Sequence, residues 1–220
     1  MTASVAGGLS YDGTVSDHRP PDVLGLLLAD RPEPDRDGTA PDDAQLATLL
    51  EAATTVPDHG ALRPWRFVVV RGPGRERFAA SLVEGLVGER GPDLPDAVVA
   101  KMRGKAFAAP CQVLLVASPR AGSNVPVWEQ VASASCTGYA IVLAATALGL
   151  GAVWKSAAVL GTPPVRALVG AGPDEQLLGW VNLGTPAGAR RERDRPVPAW
   201  QDHVAFLDGS DDRPFAARGA

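Results

Sequence analysis

The sequence predicts an α+β domain, a sheet covered by helices, and three observations carry that prediction. Short apolar runs suited to buried strands occur at Phe67–Val70, Val113–Ala117, Ala152–Trp154 and Leu177–Leu183. Helical segments of unequal length separate them, without a repeated βαβ period. No internal repeat is visible, and 220 residues suffice for one domain with a sizeable core.

Residues 1–20 are rich in Gly, Ser, Asp and Pro and lack periodicity, which reads as a flexible leader ahead of a domain over 21–187. Asp22–Ala29 is a short apolar helix broken by Pro32 and Pro34, and a polar loop continues to Pro41. Asp42 then caps the next helix. Gln45 stands three residues on, as a capping box requires, and Leu46, Leu49, Leu50 and Ala53 recur at helical spacing. Beyond the Pro57–Pro64 loop and the first strand, Arg75–Val87 is helical on Phe78, Leu82 and Leu86. Trp128–Leu148 is a long helix, apolar on most sides and therefore central. Gly149 and Gly151 end it, where left-handed or crowded backbone favours glycine. Pro163 and Pro164 open a short helix through Leu168, and Gly184-Thr185-Pro186 stops the last strand. Residues 188–220 turn charged and proline-rich, and read as a C-terminal extension.

The formal charge of −4 arises from 21 basic and 25 acidic residues that are interspersed, which argues against nucleic acid and anionic membrane as partners. Cys111 and Cys136 lie in apolar stretches away from any C-x-x-C or histidine spacing, and read as core residues of a reduced, cytoplasmic protein. No segment offers the ~18 uninterrupted apolar residues of a membrane helix, and residues 1–10 lack the pattern of a secretory signal. His18, His59 and His203 stand in unrelated contexts, so neither a metal centre nor a Ser-His-Asp constellation is indicated. Gly72-x-Gly74 and Gly149-x-Gly151 complete no G-x-G-x-x-G, which excludes the Rossmann fingerprint.

Several segments carry a family likeness in fixed order over about residues 22–187: Val56-Pro57-Asp58-His59, Arg63-Pro64-Trp65-Arg66-Phe67, Gly72–Phe78, Val125–Gln130, Trp154-Lys155-Ser156 and Leu183-Gly184-Thr185-Pro186. Together they resemble the compact single-domain branch of the nitroreductase family. That resemblance implies a nitroreductase-like fold, a central, mostly antiparallel sheet flanked by helices, and a homodimer with FMN at its interface. It also implies hydride transfer from NAD(P)H through the flavin to a nitroaromatic, quinone or similar small acceptor. Two alternatives share the fold: a non-catalytic, flavin-sequestering relative, and an FMN dehydrogenase of a biosynthetic intermediate.

The resemblance implies no protein nucleophile, because the cofactor carries the hard chemistry. Lys155 and Ser156 supply a cation and a hydroxyl suited to a phosphate; the plainer alternative is a surface lysine at a strand end. Trp154 then stands near the ribityl chain or ring, a place compatible with simple core packing. His59 and Arg63 carry over as contacts made by the neighbouring subunit, and Thr55 as a further flavin contact. Arg63 replaces the family's usual glutamine and can donate to flavin N1 or O2. Asp30-Arg31-Pro32 stands where the family reads Arg-Arg-Ser. Arg31 keeps a guanidinium for the phosphate, while Asp30 introduces a carboxylate and Pro32 removes a hydroxyl and a backbone donor. The C-terminal extension, with Trp200 and Phe206, is implied to reach over the partner subunit; the alternative is a disordered tail.

Overall fold

The structure, a computed structural model, describes residues 23–28 and 30–188. The expected leader over 1–20 lies outside them, as does the expected C-terminal extension apart from its first residue, Gly188.

Four strands make one antiparallel sheet: β1 (Trp65–Arg71), β2 (Cys111–Ala117), β3 (Gly151–Lys155) and β4 (Gln176–Gly184). Their spatial order is β1-β2-β4-β3, which leaves β1 and β3 as the two edges. Side chains alternate across β2, with Val113 and Leu115 on one face and Leu114 and Val116 on the other. Both sets are buried because helices cover both faces. On one side, α3 (Gly74–Arg90) brings Phe78, Leu82 and Leu86 against Leu114 and Trp180, with Phe78 and Trp180 edge to face at 5.2 Å. Helices α4 (Asp96–Gly104) and α6 (Pro163–Leu168) complete that layer through Val98, Met102 and Val165. On the other side, α2 (Asp43–Ala53) and α5 (Val127–Ala147) set Leu46, Leu49, Ile141 and Ala145 on Val113, Leu115 and Val181. The short α1 (Val23–Leu28) lies against α5.

The capping box forms as its spacing predicts: the Gln45 amide donates to Asp42 Oδ1 at 2.7 Å, and the Asp42 amide to Gln45 Oε1 at 3.1 Å. Gly149 has a φ of +74°, and a Cβ on Gly151 would meet the Pro34 backbone at 2.7 Å, so both glycines are needed for the expected reasons. Helix α4 has no counterpart in the sequence reading. It buries no residue fully and rests on the core through Val98 and Met102.

One expectation needs correction: Cys136 is exposed on α5, whereas Cys111 is buried as expected. The polar loop after Pro32 forms as expected, and it is tied down: Pro32 O accepts from the Ala152 amide at 3.0 Å, Glu33 O from Ala187 at 2.9 Å, and the Asp35 amide donates to Thr185 O at 2.7 Å. Backbone partners distant in sequence, which local pattern does not report, hold it against β3 and the turn after β4. Among the described residues, α5 alone is long and apolar enough to cross a membrane by length and composition, and half of its most apolar stretch is buried inside the fold.

Candidate functional site

Asp30, Arg31 and Glu33 line an open cavity of about 400 Å³ together with Ala152–Trp154 of β3 and Tyr139 and Val142 of α5. The volume is in the range of small-molecule sites. Arg31 lies at its centre: Nη2 donates to Leu27 O at 3.1 Å and to the Tyr139 hydroxyl at 3.2 Å, and the guanidinium carbon sits 5.1 Å from the Tyr139 ring centroid. Its Nε is buried and has no hydrogen-bond partner among the described residues. A buried unpartnered donor on a cation is a vacant valence for an anion. Asp30 turns its carboxylate onto the Arg31 amide at 3.0 Å, away from an ion pair with the guanidinium.

Trp154 reconciles its two sequence readings. It is wedged against α5 and β4, where a Cβ on Gly138 would lie 3.0 Å from its ring and one on Gly179 2.7 Å from its Nε1, and it also lines the cavity. Lys155 and Ser156 emerge exposed just beyond, and Lys155 Nζ is paired with Glu33 Oε1 at 2.8 Å.

A second cavity of about 500 Å³ opens where α2 and the following loop meet Trp65, at the start of β1. Arg63 lines it with Thr54, Val56 and Asp58. The Arg63 backbone has a φ of +50°, fixed by an amide bond to Asp58 Oδ2 at 2.7 Å. Thr55 hydrogen-bonds back to Ala52 O at 2.8 Å, and its neighbour Thr54 takes the lining position. His59 Nδ1 pairs with Glu129 Oε1 at 2.8 Å across to α5. The Arg66 guanidinium grips both oxygens of Glu175 at 2.7 and 2.6 Å, and that fork holds the Glu175 carboxyl down at about 2. It staples β1 beside this cavity to the turn before β4.

The chain therefore brings the predicted residues together as two groups. Arg31, Trp154, Lys155 and Ser156 gather at the β3 edge; His59, Arg63 and Thr55 gather near the β1 edge. Three strand spacings, about 14 Å, separate those edges. Tyr139 and Glu33 belong to the first group and escaped the sequence reading. Among the described residues no group of His, Cys, Asp and Glu is arranged to hold a metal ion.

A model of the nitroreductase family matches residues 37–185. The Escherichia coli protein named Putative NAD(P)H nitroreductase YdjA is 38% identical over 165 residues, covering 75% of this chain and 88% of its own. A Haemophilus influenzae protein named Putative NAD(P)H nitroreductase is 30% identical over 187 residues, covering 84% of this chain and 100% of its own. Among solved structures, a nitroreductase-like family protein from Bacillus cereus superposes with a TM-score of 0.66 at 19% identity, over 86% of this chain and 98% of its own. A nitroreductase with bound FMN from Bacteroides fragilis gives 0.62 at 19% identity, over 86% and 100%. The last two comparisons establish the fold.

Proposed function

Because this chain belongs to the nitroreductase family, we propose that it is an FMN-dependent oxidoreductase, taking hydride from NAD(P)H and delivering electrons to a nitroaromatic, quinone or similar small acceptor. The observation that carries the proposal is the Arg31 cradle: a buried Nε, unpartnered among the described residues, on a residue that lines an open cavity with Trp154. The donor set fits FMN. A guanidinium, an ammonium and a hydroxyl at Arg31, Lys155 and Ser156 suit a phosphate, and Trp154 offers an aromatic wall to the ribityl chain and ring.

FMN bound there supplies two-electron chemistry at its ring, accepting hydride and releasing electrons to the acceptor. The residues bind, orient and tune. Arg31 and Lys155 hold the phosphate end, and Tyr139 holds Arg31. Arg63, lining the second cavity, would supply a cation suited to negative charge on a flavin ring held there. No side chain is needed as a nucleophile or proton-abstracting base.

A homodimer completes the site. The two groups of residues stand toward opposite edges of one sheet, an arrangement that supports a site completed by a second chain. Helix α5 leaves Trp128, Ala132, Cys136 and Tyr139 exposed on one face, with Trp128 71% exposed, and α1 adds Leu24 at 69%. A second copy covering that apolar face brings its Arg63 and His59 to the first chain's cradle.

Absorbance of the purified, FMN-loaded protein tests the function. Flavin bleaching by NADH or NADPH without oxygen, and recovery on adding a quinone or nitroaromatic, is the expected result. Protein that cannot be loaded with FMN contradicts it, as does bound flavin that neither nucleotide reduces.

A further inference from the structure

Glu33 is built into the wall of the Arg31 cavity and cannot drift from it. The Pro32 carbonyl accepts from Ala152, the Glu33 carbonyl accepts from Ala187, and Pro34 bridges to Pro186, so the backbone on each side is pinned. Gly151 permits this closeness, since a Cβ there would lie 2.8 Å from Glu33 O. From that fixed base the carboxylate reaches Lys155 Nζ at 2.8 Å while lining the cavity that holds Arg31. Asp30, Arg31, Glu33 and Lys155 therefore sum to no net charge before any ligand enters.

We propose that Glu33 competes with the flavin phosphate for Lys155, and so makes this site accept phosphorylated and unphosphorylated flavins with little discrimination. The inference rests on the FMN reading above. A phosphate monoester brings a charge of about −1.5 to −2 at pH 7, and to gain Lys155 it must displace a carboxylate already at hydrogen-bond distance. Side-chain exposures of 43% for Lys155 and 65% for Glu33 make the pair displaceable, because water and salt weaken it. The displaced carboxylate stays within a side chain's reach of the held backbone and repels the phosphate that replaced it. The flavin ring and ribityl chain, which need no cation from Lys155, escape this opposition. Glu33 is thus a determinant of cofactor selectivity.

Equilibrium binding of FMN and of riboflavin, read by quenching of flavin fluorescence at low salt, tests this in wild-type, E33Q, E33A, K155Q and E33Q/K155Q proteins. Wild-type protein is expected to prefer FMN over riboflavin by no more than about tenfold. E33Q and E33A should each tighten FMN by about tenfold, leave riboflavin within about twofold, and lose their advantage as salt rises. E33Q/K155Q should gain less over K155Q than E33Q gains over wild type, since only the direct repulsion is then relieved. Unchanged or weaker FMN binding in both single variants overturns the proposal, as does an equal gain for riboflavin. Wild-type protein that binds FMN while the Glu33 variants match it overturns this inference alone; wild-type protein that binds neither flavin overturns the cofactor reading and this inference with it.

Discussion

Tyr139 holds Arg31 twice over: its ring lies 5.1 Å beneath the guanidinium, and its hydroxyl accepts from Nη2 at 3.2 Å. With Leu27 O taking the same nitrogen, the guanidinium is oriented and its buried Nε is left for a ligand. Arg31→Ala should weaken FMN by about one to two orders of magnitude, as loss of a charge-assisted bond of ~1.5–3 kcal/mol implies. Tyr139→Phe keeps the ring and should cost about fivefold, near the ~1 kcal/mol of a single hydrogen bond. Calorimetric titration with riboflavin supplies the control. Equal losses for both flavins mean that Arg31 supports the fold and not the phosphate.

The Arg66–Glu175 fork makes a prediction in pH. Its carboxyl is held at about 2 against an ordinary 4.5. A depressed folded value gives stability that is fully present above the unfolded value and lost as pH falls from about 4.5 toward about 2. Glu175→Gln should lower stability by ~1–3 kcal/mol at neutral pH, or roughly 2–10 °C in Tm, and match the wild type near the acid limit. Thermal melts from pH 7 downward measure the gap. A gap that stays constant through the acid range rejects the fork as the source of the shift.

Gly151→Ala should damage the site more than the fold. The new Cβ would stand 2.7 Å from Pro34 Cα and 2.8 Å from Glu33 O, both backbone, so the segment carrying Arg31 must lift off β3. Overpacking of this kind costs ~1–3 kcal/mol, and FMN affinity should fall by about tenfold or more beyond any change in melting. Gly161→Ala, with nothing within 4 Å of the added carbon, is the matched control and should alter neither. Wild-type FMN affinity in folded Gly151→Ala protein would show that the segment's seat on β3 is irrelevant to binding.

The two thiols should report on α5. Cys111 is 1% exposed and burial pushes its thiol up to about 11, so it should label only when the protein unfolds. Cys136 lies exposed among Trp128, Ala132 and Tyr139. In a homodimer formed over this face its labelling rate should fall as protein concentration rises. A rate independent of concentration, in protein shown to be dimeric, moves the interface elsewhere.

Strong periodicity and local chemistry made most of the scaffold legible. The four strands read correctly because both faces of the sheet are covered, and α2 because Asp42 and Gln45 cap it. Helix α4 was silent because Val98 and Met102 only lean on the core. Within the site, the resemblance pointed to Arg31 and Trp154, which the structure brings to one cavity. Glu33 and Tyr139 were invisible for a common reason. Each matters through a partner more than 100 positions away, Lys155 in one case and Arg31 in the other, and a linear pattern carries no trace of such pairs. Cys136 misled because the apolar run of α5 continues onto a face that its own core leaves exposed.

The division of one flavin site between two chains is tested most directly by complementation. One chain would carry Arg31→Ala with Lys155→Ala, the other His59→Ala with Arg63→Ala, and each alone should bind FMN poorly. Co-expressed and purified as the mixed dimer through two different tags, they should recover one tight FMN site per two chains, because one cradle then receives both intact halves. A mixed dimer that binds FMN no better than either parent would contradict the account, since it would mean that all the contacts to a given flavin come from a single chain.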